Sequence, residues 1–305
     1  MLSGEKILIT GPAGNIGFAL TKALAQSNEV WGISRFSDRD RRQALEAAGV
    51  ITRNVDLYDP DFNALPRDFT YVLHVAVTYE KNFDRAFRIN GEATGLLLEH
   101  CRKAKAALVM SSGSIYMPHP DPFYAYKEDD PLGDPGTHGV SVYPISKMSE
   151  EVVARYCARQ FNLPVVIARM NMAYSPNGGM PALHADAIIA GKPVVTRSEN
   201  TAYSIIYDDD VAGTVEALLG AASVPATIVN WGADEVVTTQ QWCAYMGELL
   251  RLPAQVDVQS VPGGSGGMVF DVSKRRAITG PTKVTWKDGM RRMLAERYPD
   301  RTLRA

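Results

Sequence analysis

The segment Lys6–Gly17 (KILITGPAGNIG) constrains the fold more than any other part of the chain. Its apolar run predicts a buried parallel strand, and Gly11, Gly14 and Gly17 predict a tight turn into a helix over Phe18–Ala25. The first glycine allows the sharp turn, the second lets the backbone approach a pyrophosphate, and the third lets the helix pack on the strand. Free N–H groups at the start of that helix favour bound phosphate. The segment therefore predicts a dinucleotide-binding domain.

Composition and charge limit the class of partner. The 305 residues are 46% hydrophobic, which suits one large domain or two closely joined ones, and the net charge is −2 without a basic run. We therefore expect neither nucleic acid nor a membrane as a partner. The N-terminus leads almost directly into the first strand, which predicts a cytoplasmic protein without a signal peptide. Cys101, Cys157 and Cys243 are widely spaced and odd in number, so we expect no disulfide framework and no metal site.

Strands and helices alternate after the first turn, which predicts an α/β fold with a Rossmann-type doubly wound parallel sheet. Further strands are predicted at Glu29–Ser34, Val50–Val55, Tyr71–Val75 and Ala106–Ser112. Ligands of such sheets bind at the carboxyl ends of the strands. The predicted cofactor contacts are Gly11, Gly14, Asn15, Ile16, Gly17, Ser34, Arg35, Asp56, Leu57, Val75, Ala76 and Lys147.

The residues at the end of the second predicted strand indicate whether the cofactor is NAD or NADP. An NAD-binding chain normally places an acidic residue there, whereas this chain has Ser34 and Arg35. A hydroxyl and a guanidinium suit the 2′-phosphate of NADP, so we expect a preference for NADP, with NAD possible. His74 and Asn90 are interpreted as structural residues.

Three residues carry the predicted chemistry. The fifth strand ends at Ser112, and Tyr143 and Lys147 lie four residues apart at the start of a helix predicted over Ser146–Phe161. A phenol with a pKa near ~10 is a poor base at neutral pH, and a nearby ammonium favours the phenolate. Tyr143 would move a proton on or off a substrate oxygen that Ser112 holds, while hydride moves to or from the nicotinamide.

The chain resembles the extended short-chain dehydrogenase/reductase family, of the NAD-dependent epimerase/dehydratase type. The resemblance covers almost the whole chain and rests on TGPAGNIG (Thr10–Gly17), SSGSIY (Ser111–Tyr116), YPISK (Tyr143–Lys147), YDDDVA (Tyr207–Ala212), NWGADE (Asn230–Glu235) and FDVSKRR (Phe270–Arg276). The family pattern S-x-x-[VI]-Y, counted back from Tyr116, makes Ser112 the catalytic serine.

The resemblance also implies an interleaved architecture. A Rossmann core would comprise residues 1–169 together with 205–231, where the chain returns to it. A substrate-binding part would comprise 170–204 and 232–305. It implies a homodimer formed through the helices at Phe83–Lys103 and Ser146–Phe161. The glycine-rich segment Gly263–Gly267 is predicted to be a mobile loop over the substrate cleft.

Several positions depart from the pattern of family members that act on nucleotide sugars. Met172 stands where those members commonly have Asn, Tyr203 stands where they have Arg, and Gly263–Gly267 replaces a further Arg. Because a diphosphate needs such partners, these changes argue against a nucleotide-sugar substrate. Gly113 and Ser114 replace the Asp-Glu pair of sugar dehydratases, which argues against dehydration.

We therefore expect an enzyme: an NADP-preferring oxidoreductase that interconverts a secondary alcohol and a ketone on a small, non-nucleotide substrate. One alternative is a sugar or nucleotide-sugar epimerase that oxidises and re-reduces the same carbon on a permanently bound NAD. A second is a non-catalytic protein that senses NADP. The candidate substrate-pocket residues are Ser114, Met172, Tyr174 and Tyr203.

Overall fold

The computed structural model describes residues 2–133, 141–259 and 266–304, and its contacts divide the chain into two units. The first unit comprises Met1–Ile115, Val140–Met170 and Ala212–Val229, and the second comprises Tyr116–Gly139, Asn171–Val211 and Asn230–Ala305. The sequence-based boundaries differ from this division chiefly in keeping residues 116–139 with the dinucleotide-binding core.

Strands and helices alternate along most of the chain. In chain order the elements are β1 (Lys6–Thr10), α1 (Asn15–Ala25), β2 (Glu29–Ser34), α2 (Arg39–Ala47), β3 (Ile51–Asn54), β4 (Tyr71–His74), α3 (Phe83–Ala86), a π-helical segment (Phe87–Glu92), α4 (Ala93–His100), β5 (Ala106–Ser112), β6 (Ala125–Tyr126), α5 (Val142–Phe161), β7 (Val165–Met170), β8 (Ala173–Tyr174), α6 (Met180–Ile189), β9 (Val194–Thr196), β10 (Ala202–Tyr203), β11 (Ile206–Tyr207), α7 (Asp208–Gly220), β12 (Thr227–Trp231), β13 (Val237–Thr238), α8 (Thr239–Leu250), β14 (Val256–Val258), β15 (Gly267–Phe270), α9 (Ser273–Thr279) and α10 (Trp286–Arg297).

The first unit is organised around a seven-stranded sheet of order β12-β7-β5-β4-β1-β2-β3. The pairs from β3 to β7 are parallel, so the carboxyl ends of these strands share one edge. A parallel strand that helices cover on both faces consists of consecutive apolar residues, because both faces are buried. Ile7, Leu8 and Ile9 of β1 form such a run and are fully buried. The strand order and the flanking helices confirm the predicted Rossmann-type α/β fold.

The helix predicted over Phe83–Lys103 is divided in the structure. A π-helical segment, Phe87–Glu92, separates α3 from α4. Such a segment widens the helix and re-aims its side chains, and here the buried Asn90 amide donates to the Ser146 hydroxyl at 2.9 Å. The spacing of apolar residues in the sequence does not predict the π-helical segment, because π and α turns bury similar faces.

Helix α5 begins at Val142, four residues earlier than predicted, so Tyr143 and Lys147 lie on one continuous helix. The helix ends at Asn162, which has a left-handed conformation. Its inner face includes Glu151, whose two carboxylate oxygens each lie 2.9 Å from a guanidinium nitrogen of Arg169 on β7. This buried bidentate pair fixes the helix against the sheet.

The second unit has its own small sheets and core. Its largest sheet has the order β13-β10-β15-β6, and β8 pairs with β11 while β9 pairs with β14. A capping box between Thr238 and Gln241 starts α8, which buries Trp242 against α6 and α10. Of the predicted loop Gly263–Gly267, residues 263–265 lie outside the described residues, and Gly267 begins β15.

Within the described ranges, no helix is long and apolar enough to cross a membrane. All three cysteines are buried as free thiols. The same ranges contain no group of three or more His, Cys, Asp or Glu side chains arranged to hold a metal ion.

Candidate active site

The glycine turn after β1 has the geometry that a dinucleotide phosphate requires. Gly11 has φ +65, and a Cβ on it would lie 2.8 Å from the Cα of Ala76. A Cβ on Gly17 would lie 2.1 Å from the carbonyl oxygen of Gly11, so both glycines are needed for close packing. Gly14 is the N-cap of α1, and no side chain caps this helix start, nor does its first turn contain an acidic residue. The uncapped N–H groups of the first turn fit the pyrophosphate of a dinucleotide.

The segment that follows β4 lies beside the glycine turn at the carboxyl edge of the sheet. The Thr10 hydroxyl accepts hydrogen bonds from the backbone N–H groups of Val75 (3.1 Å) and Ala76 (3.0 Å), which holds their backbone beside the glycine turn. Predicted cofactor residues Asn15, Ile16 and Gly17 form the first turn of α1.

The end of β2 places Ser34 half-buried and Arg35 on the surface. The guanidinium that reaches the glycine turn belongs to Arg41 of α2, which donates to the carbonyl oxygen of Ala13 at 2.9 Å. At the end of β3, the Asp56 carboxylate accepts from the backbone N–H of Tyr58, and Leu57 packs against the core.

The first unit brings Ser112 and Tyr143 into contact. The Ser112 hydroxyl, at the end of β5, lies close enough to the Tyr143 phenol to influence its pKa, and it lies 2.9 Å from the Ser114 hydroxyl. Tyr79 packs beside Tyr143 with ring centroids 4.7 Å apart, which brings a second hydroxyl near the Tyr143 oxygen. Burial raises the pKa of Tyr143, whereas the Ser112 and Tyr79 hydroxyls lower it by stabilising the phenolate. The neighbouring Ser111 hydroxyl is buried without a hydrogen-bond partner among the described residues.

Lys147 lies one turn below Tyr143 and is almost fully buried. Its ammonium donates to the carbonyl oxygen of Met110 on β5 at 2.8 Å and forms an ion pair with Glu150. A buried cation at this position favours ionisation of the nearby phenol. The catalytic set predicted from the sequence is thus assembled at one point of the sheet edge.

Asn90 connects the segments that carry these groups. Its side-chain oxygen accepts from the backbone N–H of Thr78, next to Tyr79, and its amide donates to Ser146 in the first turns of α5. Ser146 in turn donates to the carbonyl oxygen of Tyr143 at 2.9 Å. This agrees with the structural role expected of Asn90.

The candidate pocket residues are distributed over both units. Ser114 belongs to the first unit and is exposed beside Ser112. In the second unit, Met172 is half-buried, Tyr203 packs against Trp242 with ring centroids 5.9 Å apart, and Tyr174 is only 2% exposed. The Tyr174 hydroxyl donates to the carbonyl oxygen of Trp286 at 3.3 Å, so its polar end is already bonded within this unit.

Sequence reasoning missed two residues of the assembled site, Tyr79 and Glu150. Tyr79 follows β4 in a loop, and no spacing pattern relates it to Tyr143. Glu150 stands three residues after Lys147, a spacing that places the two side chains on one helix face. That spacing is a usable signal, although it does not reveal that the carboxylate is buried.

Comparisons with known proteins agree with this geometry. A sequence model of the NAD dependent epimerase/dehydratase family matches residues 7–232. The chain is 27% identical to an uncharacterized 37.6 kDa protein in the cld 5′ region of Escherichia coli O111:H-, over 94% of this chain and 96% of that protein.

Solved structures with similar folds include UDP-glucuronic acid 4-epimerase from Bacillus cereus in complex with UDP-glucuronic acid and NAD. That structure has a TM-score of 0.84 and 24% identity, and the match covers 96% of this chain and 99% of the epimerase chain. Pal from Bacillus thuringiensis has a TM-score of 0.79 and 22% identity, over 97% of this chain and 99% of that chain. At these identities the likeness shows the fold alone.

The family match spans most of the chain and includes the glycine turn, Ser112, Tyr143 and Lys147. This chain belongs to the NAD dependent epimerase/dehydratase family.

Proposed function

We propose that this protein is an NAD-dependent sugar epimerase that oxidises one secondary hydroxyl of a nucleotide sugar to a ketone and reduces it again from the opposite face. The observation that carries the proposal is the placement of the Tyr143 phenol beside the Ser112 hydroxyl, which lowers the pKa of Tyr143, one helical turn from the buried Lys147. This arrangement can move a proton to and from a single oxygen in both directions, which an epimerisation requires.

The roles of the residues follow from their chemistry. Ser112 would hold the substrate oxygen by a hydrogen bond, and Tyr143 would accept its proton during oxidation and return it during reduction. Lys147 would stabilise the phenolate between the two half-reactions. Bound NAD would supply the hydride acceptor and donor, and the glycine turn with the uncapped start of α1 would hold its pyrophosphate.

The choice of a sugar substrate is supported by the structural neighbours, not by a contact in this chain. Besides the Bacillus cereus epimerase, they include a UDP-N-acetylglucosamine 4-epimerase from Methanobrevibacter ruminantium, with a TM-score of 0.84 and 18% identity. This proposal replaces the small non-nucleotide substrate expected from the sequence. NAD likewise replaces NADP, because the family is described as NAD dependent and the Bacillus cereus structure contains NAD.

The bound cofactor tests the proposal directly. Freshly purified protein should release close to one equivalent of NAD on denaturation, because an epimerisation cycle regenerates its cofactor without release. Incubation with UDP-glucose or UDP-glucuronic acid should give the 4-epimer without net formation of NADH. Empty protein that binds NADPH more tightly than NADH, and leaves both sugars unchanged, would contradict the proposal.

A second candidate is an NADP-dependent reductase of a small ketone, favoured by Ser34, Arg35, Met172 and Tyr203. The exposed Arg35 guanidinium can reach solvent at the end of β2, where a 2′-phosphate would lie. Under this alternative, Arg35→Ala would weaken NADPH binding about tenfold and leave NADH binding unchanged. Equal effects of the substitution on both cofactors would remove the support for this candidate.

We also propose that the protein forms a homodimer through α4 and α5. Leu96, Val152 and Tyr156 are 47%, 64% and 61% exposed, and Val152 and Tyr156 lie one turn apart on α5. Val152→Glu should convert the dimer to a monomer in sedimentation experiments at micromolar concentration. Val195→Glu is the matched control, because Val195 is a similarly exposed apolar residue on β9 of the second unit. A wild-type protein that sediments only as a monomer would refute the dimer.

A further inference from the structure

Glu150 is a fully buried carboxylate on the face of α5 that carries the catalytic residues. It lies three residues after Lys147 and seven after Tyr143, so all three side chains lie along one side of the helix. A carboxylate at this depth is costly unless a cation or hydrogen-bond donors compensate it. The mechanism above gives it no role.

Lys147 provides the compensation. One N–H group of its ammonium donates to the carbonyl oxygen of Met110, and the same ammonium forms an ion pair with the Glu150 carboxylate. The Glu150 Oε1 atom lies 3.8 Å from His74 Nε2 and accepts no hydrogen bond among the described residues.

His74 does not supply a second positive charge. The Thr94 hydroxyl donates to the carbonyl oxygen of Asn90 at 2.6 Å, so toward His74 Nε2, at 2.9 Å, it must accept. The Thr10 hydroxyl accepts from two backbone N–H groups and therefore donates to His74 Nδ1 at 2.8 Å. These bonds assign a neutral imidazole with its proton on Nε2. Burial, followed by the charge of Lys147, lowers the pKa of His74 to about 3.

The remaining charged groups around Glu150 are accounted for. Glu151 is next to it on α5, and its carboxylate is held in the bidentate pair with Arg169 of β7. His74 on β4 is neutral. Among the titratable groups of the described residues that face Glu150, only Lys147 carries an opposing charge.

We propose that Glu150 is a positioning residue, which holds the Lys147 ammonium against β5 by a buried ion pair and moderates the positive charge that Tyr143 experiences. This inference rests on the proposed acid–base function of Tyr143. Lys147 favours the phenolate, and the Glu150 carboxylate opposes it. Tyr143 therefore stays a proton donor over a wider pH range, as the reduction half-reaction requires.

The directions of the pKa shifts agree with this role. Burial raises the pKa of Tyr143 most, the Ser112 hydrogen bond lowers it, and the charge of Glu150 raises it again. Burial raises the pKa of Glu150 itself to about 7, against the opposing effect of Lys147. Since the pKa of Tyr143 is raised above its ordinary value of 10, Glu150 is charged throughout the pH range in which Tyr143 ionises, and its negative charge opposes that ionisation.

The test is a spectroscopic titration of Tyr143 in the protein as purified, with any cofactor it carries. Tyrosinate absorbance is recorded against pH for each variant and for the same variant carrying Tyr143→Phe, and the difference isolates Tyr143. Glu150→Gln should move this ionisation down by about one pH unit. Glu150→Ala, which also removes the charge, should move it in the same direction and serves if the Gln variant does not fold. Glu150→Asp, which keeps the charge, should remain close to the wild type.

Glu151→Gln is the matched control, because it also removes the charge of a buried carboxylate on α5. The partner of Glu151 is Arg169, whereas the partner of Glu150 is Lys147. Glu151→Gln should lower stability without moving the Tyr143 ionisation. An unmoved ionisation in the folded Glu150 variants, or an equal movement in Glu151→Gln, would overturn the inference. Because the titration needs no substrate, its result is independent of whether the protein proves to be an epimerase.

Discussion

Replacement of Tyr143 with Phe is expected to lower kcat at least about 1,000-fold, whichever alcohol or ketone proves to be the substrate. The substitution keeps the ring and removes only the hydroxyl, whose pKa the neighbouring Ser112 and Tyr79 hydroxyls lower. Without that oxygen, residue 143 can no longer exchange a proton with a substrate oxygen that Ser112 holds. Steady-state turnover and single-turnover reduction of bound NAD would both report the loss.

Tyr79→Phe is the control for this prediction. It removes the hydroxyl of the neighbouring ring, which packs on Tyr143 and is 73% exposed, and it should lower kcat no more than about tenfold. NAD binding and thermal stability should be nearly unchanged in both variants. If Tyr143→Phe retained full turnover, Tyr143 could not be the acid–base group. If the wild type had no redox activity on a broad alcohol and carbonyl panel, the non-catalytic sensor would become the better explanation.

Gly17→Ala should destabilise the protein by about 3 kcal/mol and abolish cofactor binding. The added methyl group would lie 2.1 Å from the carbonyl oxygen of Gly11, and backbone atoms cannot give way as a side chain can. Relief would require α1 to move away from β1, which would displace the N–H groups that face the phosphates. Urea denaturation and calorimetric titration with NAD would measure the two effects.

Gly213→Ala is the matched control for that substitution. Gly213 lies within α7, and a Cβ there would meet no atom within 4 Å. The same exchange should therefore stabilise the protein by roughly 0.5–1 kcal/mol, because alanine is the better helix former. Equal destabilisation by the two alanines would show that packing at Gly17 is not the cause.

Local patterns in the chain were sufficient for the framework of the site. The apolar run and glycine spacing of Lys6–Gly17 predicted β1, the turn and α1, because each depends on neighbours within a few residues. The predicted strands Glu29–Ser34 and Ala106–Ser112 agree with β2 and β5 residue for residue. The spacing of Tyr143 and Lys147 predicted a shared helix face, and motif order predicted the family.

Other features depended on contacts between distant segments. The helix predicted over Phe83–Lys103 contains a π-helical segment because Asn90 bonds to Ser146, 56 residues away. The guanidinium beside the glycine turn is that of Arg41, since α2 runs back over Ala13 and leaves Arg35 on the surface. Neither outcome has a local signal.

The sequence alone was thus sufficient to predict a glycine turn suited to a dinucleotide at the start of a parallel sheet, and a candidate catalytic set of three residues, because these predictions rest on short motifs with fixed spacing. Only the tertiary structure decided the electrostatics of that set. Glu150 is an ordinary helix residue until β4 and β5 bury it between Lys147 and a neutral His74. Desolvation and non-local hydrogen bonds fix the charges there, and both arise only when the strands and helix α5 pack together.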